Sequence, residues 1–366
     1  MQTIIVTGGA GFIGSNFARI ALRKKDWRLI VIDKLTYAGS HLNLSEIAND
    51  PRYSFIHADI ADQAAMTEAF ERWHPEFVVN FAAETHVDRS IDGPHSFLAA
   101  NVMGTFGLLE ATRRYWLGLE PSRRRSFRFL QISTDEVYGS LGATGFFSEE
   151  SRYAPNSPYA ASKASADHFV RAYHETFRLP TLISCCSNNY GFNQYPEKLI
   201  PLTISNAIAG KELPIYGDGK NIRDWLFVED HCEALLTILS RGEVGQRYNI
   251  GGRNERTNLE VVTEVCAVLE EVFPAESNPA LTAKGCKSYR DLIILVPDRP
   301  GHDRRYAIDC TRIERELGWT SRISFEMGLR ATVRWYLLNR GWCQAIQGEH
   351  YDGRRLGLSA ARAAER

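Results

Sequence analysis

Gly8, Gly11 and Gly14 are the residues that most constrain how this chain can fold. The β-branched run Gln2–Thr7 before them reads as a short buried strand. Beyond them an amphipathic stretch reads as a helix to about Lys25, and Arg28–Asp33 as a second strand ending in an acid. Strand, glycines, helix, strand and acid in that order form a dinucleotide-binding unit. The glycines allow a tight turn and close backbone approach, so a pyrophosphate can rest on the positive helix N-terminus. Asp33, about 20 residues further on, is placed to accept hydrogen bonds from the adenosine ribose and to repel a 2′-phosphate. That selects NAD over NADP.

A second constellation lies at Thr134-Asp135-Glu136, the end of a predicted strand, with Tyr159 and Lys163 on the helix that follows. Residues four apart share one helical face, so the ammonium of Lys163 is expected to help the Tyr159 phenol ionise. Such a pair suits removal of a hydroxyl proton while hydride leaves the same carbon. Asp135 and Glu136 add a separate acid and base, which loss of water beside a new ketone requires.

Composition narrows the class. A length of 366 residues suffices for one large or two smaller domains. A net charge of −1 speaks against nucleic acid or an anionic membrane as the main partner. No apolar run approaches the roughly 18 residues of a membrane span, and a strand at the very start leaves no room for a signal peptide. Seven cysteines without metal-like spacing read as reduced thiols of a cytoplasmic protein, with Cys185 and Cys186 in the core and no metal site. The basic run Ser122–Ser126 reads as a solvated loop.

Strands at 53–57, 77–81, 127–132 and 181–186 alternate with helices, among them one from Pro94 to about Trp116 and one from Tyr159 to about Phe177. This is the pattern of an α/β protein with a doubly wound parallel sheet. From Ser187 the segments shorten, which implies a smaller α/β domain interwoven with the first. The stretch 346–366 reads as a flexible tail.

Taken together, these elements resemble the extended short-chain dehydrogenase/reductase superfamily, and within it the family of dTDP-glucose 4,6-dehydratases. The resemblance runs from about residue 2 to 340. Its most discriminating parts are Thr134-Asp-Glu136, Lys198-Leu-Ile-Pro201 and Asp298-Arg-Pro-Gly-His302. It implies a Rossmann-type NAD-binding domain from 1–186 and about 226–250, and a sugar-nucleotide domain from about 187–225 and 251–345. Contacts to NAD would then fall on Phe12, Ile13, Asp33, Lys34, Leu35, Thr36, Asp59, Ile60, Phe81, Ala82, Ala83, Glu84, Thr85, Tyr159, Lys163 and Asn189, beside the glycines. Contacts to dTDP-glucose would fall on Thr85, His86, Thr134, Asn188, Lys198, Leu199, Pro214, Ile215, Tyr216, Arg223, Asn258, Asp298, Arg299, Pro300, Gly301 and His302. Arg223 also makes chemical sense by itself, since a guanidinium fork matches a pyrophosphate. Two departures stand out: Ala100 where relatives place a threonine facing the cofactor, and Phe192-Asn193 where they place proline and an aromatic. The family further implies a homodimer built on helices 95–116 and 157–177.

The implied reaction is C4 oxidation, loss of water across C5 and C6, and return of hydride to C6. Tyr159 and Lys163 serve the first step, Glu136 and Asp135 the second, and Thr134 holds the 4-oxygen. The product is a 4-keto-6-deoxy sugar nucleotide, a precursor of deoxysugars such as rhamnose. A 4-epimerase or a uronic-acid decarboxylase would need Tyr159 and Lys163 but not the two acids. A redox sensor or scaffold that merely binds NAD would need neither pair.

Overall fold

The structure, a computed structural model, describes residues 1–298 and 301–350, with residues 347–350 described by backbone alone. Its strands among these residues are β1 (Gln2–Thr7), β2 (Trp27–Asp33), β3 (Tyr53–His57), β4 (Phe77–Asn80), β5 (Arg128–Thr134), β6 (Thr181–Cys186), β7 (Asn188–Tyr190), β8 (Leu213–Tyr216), β9 (Ile222–Phe227), β10 (Arg247–Ile250), β11 (Glu255–Thr257) and β12 (Ile293–Val296). Seven of them make one sheet in the order β10-β6-β5-β4-β1-β2-β3, with every pair parallel. This is the expected Rossmann-type, doubly wound sheet. Its central strands are buried along their length, as Ile4, Ile5, Val6 and Leu29–Ile32 are, because helices cover both faces. A polar ladder crosses this apolar middle: Thr7 Oγ1 donates to Asn80 Oδ1 at 2.6 Å, and Asn80 Nδ2 donates to Gln131 Oε1 at 2.9 Å. Buried polar groups are tolerated where they are hydrogen-bonded, and within this ladder Gln131 Nε2 alone has no partner among the described residues. The strand order reverses on either side of β1, so the carboxyl ends of β1, β2, β4 and β5 open onto one crevice.

The second half has a core of its own, built on Tyr190, Ile204, Val265, Leu269, Phe325 and Leu329. It contains the three-stranded sheet β11-β9-β7 and the pair β12-β8. Helix Asn258–Val272 begins on a capping box in which Thr257 and Glu260 satisfy each other's backbone.

The structure departs from the sequence reading in three places. Residues 306–319 do not belong with the second core: Tyr306, Ile308, Ile313, Leu317 and Trp319 pack into the first. The single helix expected from Pro94 is three pieces, Pro94–Phe97, a π-helical turn Leu98–Gly104, and Thr105–Leu117. Asn101 explains the wide turn, since its side chain accepts from Glu84 N at 2.8 Å and donates to Glu84 O at 3.0 Å. Widened turns of this kind re-aim side chains at functional sites. The basic run is not a loop but the short helix Pro121–Ser126, with Arg123 and Arg124 donating to the carbonyls of His74 and Leu119, both at 2.8 Å. At the Phe192-Asn193 departure, Asn193 takes a φ of 61° and its amide oxygen accepts from Arg19 at 2.8 Å. Most of the expected tail, 351–366, lies outside the described residues.

Candidate active site

One cavity of about 1600 Å³, counting space open to solvent, occupies the crevice. Its floor is the glycine turn. Gly8 has a φ of 67°, and a Cβ there would stand 2.5 Å from the backbone nitrogen of Ala82. On Gly14 a Cβ would stand 2.3 Å from the carbonyl oxygen of Gly8. Only glycine lets these backbones approach. Gly11 caps helix Phe12–Lys24 without any side-chain hydrogen bond, so the first N–H groups of the helix face the cavity as an anion site. Asp33, at the end of β2, is held by two backbone donors, Ala10 N at 2.9 Å and Leu35 N at 2.8 Å. Burial pushes its carboxyl above the ordinary value, and the N–H groups of Leu35 and Ala10 oppose that shift.

Of the residues expected at the dinucleotide, Gly8, Gly11, Phe12, Ile13, Gly14, Asp33, Lys34, Thr36, Asp59, Ile60, Phe81, Ala82, Ala83, Glu84, Thr85, Ala100 and Asn189 all line this cavity. Leu35 does not. Its side chain turns toward the core, and its part is the backbone N–H that holds Asp33.

The reactive end is set by β5 and the helix Pro158–Phe177. β5 runs into a 3-10 turn, Asp135–Tyr138, in which Thr134 Oγ1 accepts from Glu136 N at 3.3 Å and donates to Asp135 Oδ1 at 3.4 Å. Asp135 is buried, and its Oδ2 has no hydrogen-bond partner among the described residues. Burial, then the charges of Glu136 and Asp224, raise its carboxyl well above the usual range, against a smaller pull from Arg223. A carboxyl in that setting holds its proton. Ser157 caps the helix by accepting from Ala160 N at 3.1 Å, which places Tyr159 in the first turn beside Thr134. Thr134, Asp135, Glu136, Tyr159 and Lys163 line the same cavity as the glycines.

The expected acidification of Tyr159 by Lys163 is not what the protein groups alone produce. Lys163 Nζ donates to Ile132 O at 2.7 Å, and burial together with the Glu136 charge pushes the Tyr159 phenol up. Burial also lowers Lys163, while the Asp167 carboxylate opposes that shift. Asp167 is itself held by the hydroxyls of Ser133 at 2.5 Å and Tyr153 at 2.8 Å.

Among the expected sugar-nucleotide contacts, Thr85, Thr134, Asn188 and Lys198 line the cavity. The others among the described residues lie outside its wall. Leu199 packs against the second core, and Ile215 is buried in it within β8, beside Pro214. Tyr216 donates to Asp88 Oδ2 at 3.2 Å. Arg223 sits 4.3 Å over the Tyr306 ring and donates to Asp303 O at 3.0 Å, close enough to Asp135 to act on its charge. Asn258 opens its helix with its N–H on Asn221 O at 3.0 Å. His302 Nδ1 and Asp298 Oδ1 are 2.6 Å apart, and Gly301 has a φ of 64°. Arg299 and Pro300 lie outside the described residues. His86 is a helix cap, its Nδ1 accepting from Arg89 N at 3.4 Å.

Sequence reasoning missed Tyr37, Tyr195 and Glu197, which also line the cavity, and His231 behind it. His231 is fully buried, its Nδ1 lies 2.9 Å from Asn189 Oδ1, and burial lowers it to about 3, so it stays neutral. Tyr37 lies in the Asp33–Gly39 stretch and Glu197 opens the Glu197–Pro201 stretch, both similar to the family, whereas nothing local marks His231. Among the described residues no cluster of His, Cys, Asp and Glu could hold a metal ion, and no helix is long and apolar enough to cross a membrane. All seven cysteines are unpaired.

Residues 5–332 match the family described as GDP-mannose 4,6 dehydratase. The dTDP-glucose 4,6-dehydratase of Xanthomonas campestris pv. campestris (strain B100) is 52% identical over 359 residues, spanning 98% of this chain and 100% of the relative. This chain belongs to the dTDP-glucose 4,6-dehydratase family. A crystal structure of a dTDP-glucose 4,6-dehydratase from Bacillus anthracis in complex with NAD superposes with a TM-score of 0.82 at 44% identity, covering 94% of this chain and 100% of that one. UDP-glucose 4-epimerase of Thermotoga maritima also superposes, with a TM-score of 0.79 at 26% identity over 93% of this chain and 100% of that one. The dTDP-glucose 4,6-dehydratase family therefore shares its fold with epimerases, and the fold alone does not choose the reaction.

Proposed function

We propose that this protein converts dTDP-glucose to dTDP-4-keto-6-deoxyglucose, using bound NAD, as a step in deoxysugar nucleotide biosynthesis. The observation that carries the reading is Asp135. It is a buried carboxyl raised well above its ordinary value, beside Glu136, in the cavity that also holds Tyr159 and the glycine turn. An epimerase has no use for such an acid; an eliminating enzyme needs one.

The glycine cradle, the open helix N-terminus and Asp33 fit the two phosphates and the adenosine ribose of NAD. When bound, NAD supplies reversible hydride acceptance at C4 and its return at C6. The protein's own groups manage the protons. Tyr159, as phenolate, takes the proton of the 4-hydroxyl, and Thr134 hydrogen-bonds the 4-oxygen. The protein groups around Tyr159 raise its phenol rather than acidify it, so the positive charge that favours the phenolate would come from NAD⁺ when bound. The 4-ketone acidifies C5–H, and Glu136 takes that proton. Asp135 gives its proton to the departing 6-hydroxyl, which leaves as water. Glu136 then returns a proton to C5, and a proton passed from Tyr159 to Asp135 through solvent resets the site. Arg223 acts in this scheme from behind the cavity wall on the charge of Asp135, with Lys198 and Asn188 on the wall itself. Residues about 187–225 and most of 251–345 form the sugar-nucleotide half.

Two further readings accompany this one. Leu98 and Met103 in the π-helical turn, Phe106 in helix Thr105–Leu117, and Phe169 and Phe177 on helix Pro158–Phe177 are large apolar side chains exposed to solvent. The Phe106 and Phe169 rings lie 6.0 Å apart, so the two sets meet in one patch, which supports a homodimer through these helices. Seven unpaired cysteines support a reducing, cytoplasmic setting. Incubation with dTDP-glucose tests the main reading: an alkali-induced absorbance from a 4-keto-6-deoxy product is expected, and its absence with NAD bound would overturn it.

A further inference from the structure

Three distant parts of the chain meet at one wall of the cavity. Tyr37 lies in the loop after β2, Arg89 in the short helix Val87–Asp92, and Glu197 just before helix Leu199–Ile208. Tyr37 and Glu197 both line the cavity. The Glu197 side chain is only 1% exposed. Its Oε1 accepts from the Tyr37 hydroxyl at 3.0 Å, and its Oε2 accepts from Arg89 Nε at 3.2 Å. His86 Nε2 stands 4.0 Å from Oε1. The Arg89 guanidinium lies 3.9 Å over the Tyr37 ring, which also packs at right angles to the Tyr195 ring with centroids 5.4 Å apart. A carboxylate buried this deeply is tolerated only with charged and hydrogen-bonded partners, and here the partners come from the opposite half of the molecule. Burial and the Glu197 charge also keep the Tyr37 phenol protonated, so it remains a donor.

The location gives these contacts a consequence beyond packing. Tyr37 continues the stretch that begins at Asp33, on the ribose side of the cavity. Glu197 adjoins Lys198, whose Nζ donates to Thr85 O at 3.3 Å, so the segment before helix Leu199–Ile208 is tied to two loops of the first half. The Tyr37–Glu197 hydrogen bond therefore joins two walls of the cavity to each other. We propose that Tyr37, Glu197 and Arg89 form a latch that keeps NAD resident through turnover, with Glu197 as the positioning residue that ties the cofactor wall to the sugar-nucleotide wall. This inference rests on the reading of NAD as the cavity's occupant.

The test measures NAD release. Intact protein loaded with isotopically labelled NAD is chased with excess unlabelled NAD, and retained label is followed with time. Tyr37→Phe removes the hydroxyl but keeps the ring under Arg89, and Glu197→Gln keeps the shape but removes the charge. Each is expected to speed release about ten- to a hundredfold, the worth of a hydrogen bond to a charged acceptor. The double variant is expected to release little faster than the quicker single variant, because both changes open one latch. Thermal unfolding of the nucleotide-free proteins separates a latch from general loosening, since the latch predicts fast release with nearly unchanged unfolding temperatures. Release as slow as in the parent, or faster only in proportion to lost stability, overturns the latch. A parent protein that takes up no labelled NAD overturns instead the cofactor reading beneath it.

Discussion

Replacing Asp135 with asparagine separates two consequences of one buried proton. The first is catalytic. Asparagine keeps the shape of the carboxyl but gives up no proton to a leaving hydroxide, so loss of water at C6 should slow by about 10² to 10⁴-fold, the usual worth of a general acid. At 1.36 kcal/mol per tenfold, that is about 2.7 to 5.4 kcal/mol of barrier. Glu136 and Tyr159 remain, so C4 oxidation and C5 deprotonation should continue. In heavy water, dTDP-glucose recovered from the Asp135→Asn enzyme should therefore carry deuterium at C5, whereas substrate recovered from Glu136→Gln should not. The second consequence is for stability. The folded state raises Asp135 above its ordinary value near 3.8, so the folded protein holds a proton that the unfolded chain releases. Stability from this group is complete below that value and falls as pH rises toward the raised one, by about 1.4 kcal/mol per pH unit. Asparagine has no such slope. Denaturant unfolding between pH 5 and 8 should show the variant gaining on the parent as pH rises. An Asn variant with no C5 exchange, or with a flat stability difference across that range, would refute the assignment of a protonated acid to Asp135.

Asp33→Ala should weaken NAD by about ten- to a hundredfold, from lost hydrogen bonds to a charged acceptor, and narrow its advantage over NADP in a binding titration; equal binding of the two by the parent would sink the assignment. Substrate deuterated at C4 should give product with the label in the C6 methyl even with unlabelled NADH in solution, and label found in the bulk nucleotide would oppose an internal return. Phe169→Glu should shift the protein toward monomer in sedimentation, because it places a charge beside Phe106 in the exposed apolar patch; an unchanged assembly would remove these helices from the interface.

Much of this fold is legible because its determinants are local. Gly8, Gly14 and Asp33 each act within a few residues of the backbone they shape, and β1 and β2 are continuous apolar runs. Asp135, Glu136 and Tyr159 are legible for a similar reason: a strand end and a helix start fix where they point. What escaped reading depends on distance. Glu197 acquires its setting from Tyr37, 160 positions away, and His231 from Asn189, 42 positions away. The π turn at Leu98–Gly104 leaves helical periodicity almost intact, so only the Asn101–Glu84 contacts betray it. Tyr306–Trp319 looked like part of the second half because it follows it in sequence, and its partners on the sheet lie far earlier.

That late return to the first core has a consequence for biosynthesis. β10 pairs with β6, and the helix Thr311–Leu317 packs against β10, so this edge of the large sheet is completed by residues that come well after β6 in the chain. A nascent chain that has emerged as far as Cys186 holds the whole glycine turn but lacks its last strand and that strand's cover. Domains of simple tandem proteins can fold one after another on the ribosome; here the β6 edge stays open until residues 187–246, which include β7, β8 and β9 of the other half, have been made. The same interleaving makes the two halves poor candidates for separate expression or for exchange by fusion at a single junction.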